Sequence, residues 1–212
     1  MLFRPGAGRR LPSENLRILR VLTTRRAQIV DMRKRLSAQT SARKKQGIAA
    51  NVEDMDEALK AMLDTQIDDL ERRIADVIDK EASAAAKARL LLSIPGIGPV
   101  SAAMLIAEMP ELGRMTAAEA AAMTGLAPVP HDSGTMRGRR TIAGGRRALR
   151  HVLYQAALAA ACHNPVLKPA AQRLKQRWKP HKLVIIAIAR RLITIANAIL
   201  KTGTPWQHQL AT

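Results

Sequence analysis

Apolar residues return every three or four positions along most of this chain, and no stretch alternates apolar and polar residues convincingly enough to read as a strand ladder. That spacing lines one face of a helix with apolar side chains, so the expected fold is all-α. Proline, glycine and asparagine divide the pattern into separate helices. Pro12-Ser13-Glu14 can open the first, which carries Leu16, Leu19, Leu22, Ile29, Met32 and Leu36 and ends near Gly47. Asn51 is a candidate cap for a second long helix, with Val52, Met55, Leu59, Met62, Leu63, Ile67, Leu70, Ile74 and Val77 along its seam. Two such helices predict a long helical hairpin, a coiled coil or a dimerising stalk over residues 1–86. Asp54, Asp64, Asp68, Asp69 and Asp76 read as a solvated helix face rather than as a magnesium site.

Residues 87–212 are expected to form a compact helical domain. It begins with LLLSIPGIGPVSAAMLIAEM, an apolar helix, then Pro95-Gly96-Ile97-Gly98, then a second helix from about Pro99. This order resembles the helix–hairpin–helix module of DNA-binding proteins, in which the N–H groups of a glycine-rich turn and the positive end of the next helix hold a phosphate. Gly96 and Gly98 are therefore candidate contacts, although a plain interhelical turn also uses glycine. A short helix follows over 116–123, capped by Thr116 with Glu119 three residues later. Helices over about 145–163, 165–178 and 181–201 close the domain, and the last is so apolar that it should be the core helix.

Charge narrows the partner. The chain carries 35 Lys and Arg against 17 Asp and Glu, a formal net charge of +18, and the sign is segregated: residues 1–50 are strongly basic, 51–90 acidic and 91–212 basic. A polyanion is the natural partner, nucleic acid before others. Phe3, Tyr154, Trp178 and Trp206 are the only aromatic residues, which disfavours a base-stacking single-strand binder that relies on aromatic platforms and favours duplex backbone contacts. The sole cysteine, Cys162, excludes an intrachain disulfide and a Cys-rich zinc site, and reads as a small buried residue. The N-terminus shows no signal-peptide pattern. The apolar run 183–195 is broken by Arg190 and Arg191 and is short for a membrane span, so a cytoplasmic setting without a membrane partner is expected.

The chemistry concentrates in residues 125–150, GLAPVPHDSGTMRGRRTIAGGRRALR. Ser133-Gly134 sits among prolines and glycines just ahead of Arg137, Arg139, Arg140, Arg146, Arg147 and Arg150, with no carboxylate after Asp132. Guanidinium forks match phosphate oxygens. Arginine at a helix start opposes the helix dipole, so an anion is expected to compensate the last three. From the residues alone Ser133 reads as a turn residue before a nucleophile, since Ser-Gly turns are common and His131 and Asp132 are too close in sequence to make a self-sufficient triad with it.

Three stretches, IPGIGPVSAAMLIAEM, AAAMTGLAPVPHDSGTMRGRRTIAGGRRALRHVLYQAA and HNPVLKPAAQRLKQRWKPHKLVIIAIARRLITIANAILKTGTPW, resemble in this order the C-terminal domain of the insertion-sequence one-ten transposases, relatives of the Piv DNA invertases. The resemblance covers about residues 90–206, and the preceding helices are similar to the coiled coil of that family. It implies a DNA transposase guided by a structured RNA, acting on double-stranded DNA, with Ser133 as nucleophile. It also implies homo-oligomerisation through the coiled coil, and an RuvC-like domain whose acids hold magnesium. Residues 1–50 offer only Glu14 and Asp31, so no cofactor is expected in this chain and Mg2+ is expected in a separate or missing domain. A non-catalytic helix–hairpin–helix DNA-binding remnant or regulator is the alternative, and a coiled-coil protein with an acidic partner is a third reading.

Overall fold

A computed structural model describes residues 13–129 and 140–207, and the chain separates into two compact units, residues 1–81 and 82–212. In the first, α1 (Glu14–Gln46) starts at Ser13, whose hydroxyl accepts from the Leu16 N–H, and ends at Gly47, where φ of 73° is a left-handed stop. A short 3₁₀ turn (Ala49–Asn51) leads into α2 (Glu53–Asp79). Asn51 ends that turn instead of capping the helix. Val52 holds the cap position without a side-chain acceptor, and Glu53, Asp54 and Asp56 in the first turn complement the helix dipole in its place.

The two helices run antiparallel, because their ion pairs advance in opposite directions. Arg26 pairs with Glu71, Arg33 with Asp64, Arg43 with Asp56 at 2.5 Å and Lys44 with Glu53 at 2.7 Å. The basic and acidic sequence blocks thus meet in the hairpin. Much of their charge is matched across one seam. Leu19, Ile29 and Leu36 of α1 and Ile74 and Ile78 of α2 are buried, whereas Met32, Met55, Leu59 and Met62 are exposed. The expected seam is therefore too wide, since one partner helix covers one stripe.

The second unit contains α3 (Ala82–Leu92), α4 (Pro99–Glu108), α5 (Ala117–Met123), α6 (Arg147–His163), α7 (Leu167–Gln176) and α8 (His181–Thr202). Helix α8 is its centre and packs against α3, α5, α6 and α7. It is long and apolar enough to cross a membrane, so the expectation that this run is too short does not hold. Half of its most apolar window is buried inside the unit, as befits a core helix. Asn197, buried on α8, accepts from the Gly113 N–H at 2.8 Å and donates to the Met115 carbonyl at 2.8 Å, tying down the α4–α5 connection. Trp206 folds back so that its backbone N–H donates to Ser93 Oγ at 2.8 Å.

The largely helical expectation holds with one addition. Strands β1 (Pro128–Val129) and β2 (Thr141–Ile142) pair antiparallel, Val129 opposite Thr141. Two residues per strand are too few to leave a periodic signal. Cys162 is exposed, not buried as its residue type suggested, because it lies on the outer face of α6.

Candidate nucleic-acid interface

The turn between α3 and α4 is held at three points. Gly98 takes the cap position of α4 in an extended conformation and Pro99 follows at the first turn, a position that needs no N–H. Gly96 has φ of 108°, and a Cβ there would lie 2.5 Å from the Ala160 side chain on α6. Glycine is needed at 96 for backbone conformation and for helix packing together. A Cβ on Gly98 would meet nothing within 4 Å, so that residue is open to a ligand's approach. Asn164, fully buried at the end of α6, latches the turn by donating to the Pro95 carbonyl at 3.0 Å. Its Oδ1 accepts from the Val166 and Leu167 N–H groups at 3.0 Å each and so starts α7.

At the other end of α6 the chain crosses itself. Gly125 and Gly145 both adopt left-handed backbone, at φ of 67° and 65°, and a Cβ on Gly145 would lie 2.2 Å from the Gly125 nitrogen. The Arg146 N–H donates to the Met123 carbonyl at 2.8 Å across this crossing. Thr124, wholly buried, hydrogen-bonds the Ala120 carbonyl at 2.9 Å and closes α5 beneath it. The β1–β2 pair sets Val129 opposite Thr141 beside this crossing. Ser133, with His131, Asp132, Gly134, Arg137 and Arg139, lies outside the described residues.

The remaining arginines divide sharply. Arg146, at the cap of α6, donates to the Glu108 carbonyl at the end of α4 and pairs with the Glu111 carboxylate. The anion that its position at a helix start calls for is supplied by the protein. Arg150 donates to the Gly144 carbonyl at 2.9 Å and to the Gly125 carbonyl at 3.3 Å, clamping the glycine crossing. Arg140 and Arg147 are exposed.

Two candidate contact regions are thus far apart. Gly96 rests against Ala160 near the end of α6 and Arg146 caps its start, so the helical rise between them is about 20 Å. Sequence reasoning did not find Asn164, Asn197 or the Arg146–Glu111 pair, because each acts on a partner remote in sequence. Among the described residues no group of three or more His, Cys, Asp or Glu could hold a metal ion.

Comparison with known proteins covers the same region. Residues 88–172 match the family described as Transposase IS116/IS110/IS902. The chain is 31% identical over 123 residues to an insertion element IS110 uncharacterized 43.6 kDa protein of Streptomyces coelicolor, an alignment covering 57% of this chain and 30% of that one. It is 29% identical over 148 residues to the pilin gene-inverting protein of Moraxella bovis, covering 68% of this chain and 46% of the relative. With the insertion element IS900 uncharacterized 42 kDa protein of Mycobacterium paratuberculosis it shares 32% identity over 143 residues, 66% of this chain and 35% of that one. The chain therefore spans less than half the length of the curated relatives it matches. Those relatives come from insertion elements or invert a gene, and the matched span holds both the α3–α4 turn and the glycine crossing; over residues 88–172 the chain is similar to the IS116/IS110/IS902 transposase family.

Proposed function

We propose that this chain is the C-terminal part of a DNA transposase that binds duplex DNA together with a structured guide RNA and supplies Ser133 as its nucleophile. The observation that carries the reading is the family match over residues 88–172, which encloses Ser133 and the pinned foot of the segment bearing it. In this reading Ser133 Oγ attacks a backbone phosphorus. One strand P–O bond breaks as the Oγ–P ester forms, and the serine proton passes in net terms to the leaving strand hydroxyl. The phosphoserine link keeps the energy of the broken bond for rejoining. Magnesium chemistry comes from an RuvC-like domain acting with this chain.

Phosphate contacts fall to Gly98 with the start of α4, and to Arg137, Arg139, Arg140 and Arg147. Gly96, Arg146 and Arg150 serve mainly to shape the surfaces around them, since packing and internal hydrogen bonds already occupy them. Assembly with a second copy runs along the hairpin, where Met55, Leu59 and Met62 lie exposed on α2. The proposed setting is the bacterial cytoplasm.

The test is strand exchange with the RuvC-like domain, guide RNA and magnesium supplied, comparing wild type with Ser133→Ala. A covalent DNA adduct on wild type, absent from the variant, with DNA binding retained in both, is expected. An equal yield of strand exchange from the variant would sink the nucleophile assignment. Loss of exchange in both proteins despite DNA binding would favour the non-catalytic regulator.

A further inference from the structure

Helix α7 ends in a way its sequence does not favour. Its cap is Arg177, the next residue is Trp178, the Trp178 N–H donates to the Lys175 carbonyl at 2.9 Å and the Lys179 N–H to the Leu174 carbonyl at 3.3 Å. These two bonds are the Schellman pattern, whose left-handed position is normally glycine because a Cβ there is strained. Trp178 occupies it at φ of 53°, the one non-glycine residue with positive φ among those described. The ring recovers nothing by packing, since Trp178 is 94% exposed. A bulky side chain in a strained backbone, left in water, is unfavourable twice over in the free protein.

The surroundings indicate what would offset that. Arg173, Lys175, Arg177, Lys179 and Lys182 lie within ten residues that contain no carboxylate, with His181 among them, and all are exposed. None of the five cations is ion-paired among the described residues. An exposed indole flanked along the chain by unpaired cations suits a nucleobase with a phosphate on either side. Bases inside a duplex are already stacked on both faces, so a ring raised on a convex turn can reach only an unpaired or displaced base.

We infer that Trp178 is a stacking platform for an unpaired base of single-stranded DNA or RNA, with Arg177 and Lys179 on the adjoining phosphates. The inference rests on the nucleic-acid reading above and extends it from duplex backbone to an opened strand. One ring does what the scarcity of aromatics in the sequence spoke against, because it is fully presented.

The experiment uses the full chain, with labelled oligothymidine, oligouridine, a mixed-sequence duplex and anionic lipid vesicles as probes. Proteins compared are wild type, Trp178→Gly and Trp178→Phe. Glycine suits the left-handed position, so Trp178→Gly should melt at or above the wild-type temperature while binding single strands about 5- to 150-fold more weakly, the stacking contribution of one base. Phenylalanine should restore most of that affinity, and duplex binding should be unchanged in both variants. Whether oligothymidine or oligouridine shows the larger loss identifies the strand. Single-strand binding by wild type that Trp178→Gly leaves intact overturns the inference and spares the wider reading. Wild type binding neither duplex nor single strands overturns both. Vesicle binding stronger than oligonucleotide binding and lost in Trp178→Gly also overturns it, in favour of a membrane-interface anchor.

Discussion

Residues 140–150 carry four arginines and residues 173–182 carry five lysines and arginines, neither stretch has a carboxylate, and both flank helix ends of the same unit. In the first, Arg146 and Arg150 turn inward onto the Glu108, Gly125 and Gly144 carbonyls and the Glu111 carboxylate. In the second, every cation faces water around an exposed indole. Positive charge by itself therefore does not mark a binding surface. What separates the two is whether folding brings uncompensated oxygen atoms within reach. The end of α4 and the glycine crossing do so for Arg146 and Arg150, whereas among the described residues no carboxylate pairs with a cation of the α7–α8 turn.

The largest expected effect tests whether the first stretch is architectural. Gly145→Ala places a Cβ 2.2 Å from the Gly125 nitrogen, 2.6 Å from its Cα and 2.8 Å from the Met123 carbonyl oxygen in a left-handed backbone, and all three contacts are to main chain that cannot swing aside. A loss of about 3 kcal/mol or more of unfolding free energy in urea is expected, with the crossing as its source. A variant as stable as wild type would mean that the two glycine backbones do not touch.

Next in size is the contrast between adjacent residues. Arg146→Ala leaves the Glu111 carboxylate without its guanidinium and should cost about 2 kcal/mol, as loss of hydrogen bonds to a charged group does. Arg147→Ala, one residue on and exposed, should stay within about 0.5 kcal/mol of wild type, yet lower the salt slope of DNA binding by about one. If Arg146→Ala proved the binding variant and Arg147→Ala the unstable one, the division of the arginines would be reversed.

How far these distinctions were legible in sequence depends on reach. Helix periodicity, the Thr116–Glu119 capping box and the apolar core helix all express interactions within a few residues, and the structure has each of them. The Asn164 latch reaches back 69 residues to Pro95, and Arg146 reaches 35 to Glu111. No local pattern carries such pairs. Strands of two residues fall below any period. The signal for Trp178 was present, a helix ending before Lys179-Pro180, but the strain lies in a backbone angle that residue type alone predicts to be glycine's.

The smallest effect concerns a third basic stretch, on α1, where carboxylates of α2 do for Arg26, Arg33 and Arg43 what the carbonyls do for Arg150. Asp56 shows the energetic trace. The Thr40 hydroxyl first, and Arg43 after it, hold its carboxyl below the usual value of 3.8. A depressed carboxyl binds its proton less readily folded than unfolded, so its contribution is complete above that usual value and is lost as pH falls through the folded one. Lys44 works in the opposite sense. Its hydrogen bond to Glu53 raises its pKa, so its contribution is complete below 10.5 and is lost at higher pH. Thermal melts of the chain followed by helix circular dichroism should be level through neutral pH and decline at both extremes, with Asp56→Asn flattening the acid side only. Because these groups meet solvent, added salt should shrink the acid-side difference between wild type and variant. An acid limb unchanged in Asp56→Asn would show that the hairpin's charges are merely adjacent, and that its stability comes from Leu19, Ile29, Leu36, Ile74 and Ile78 alone.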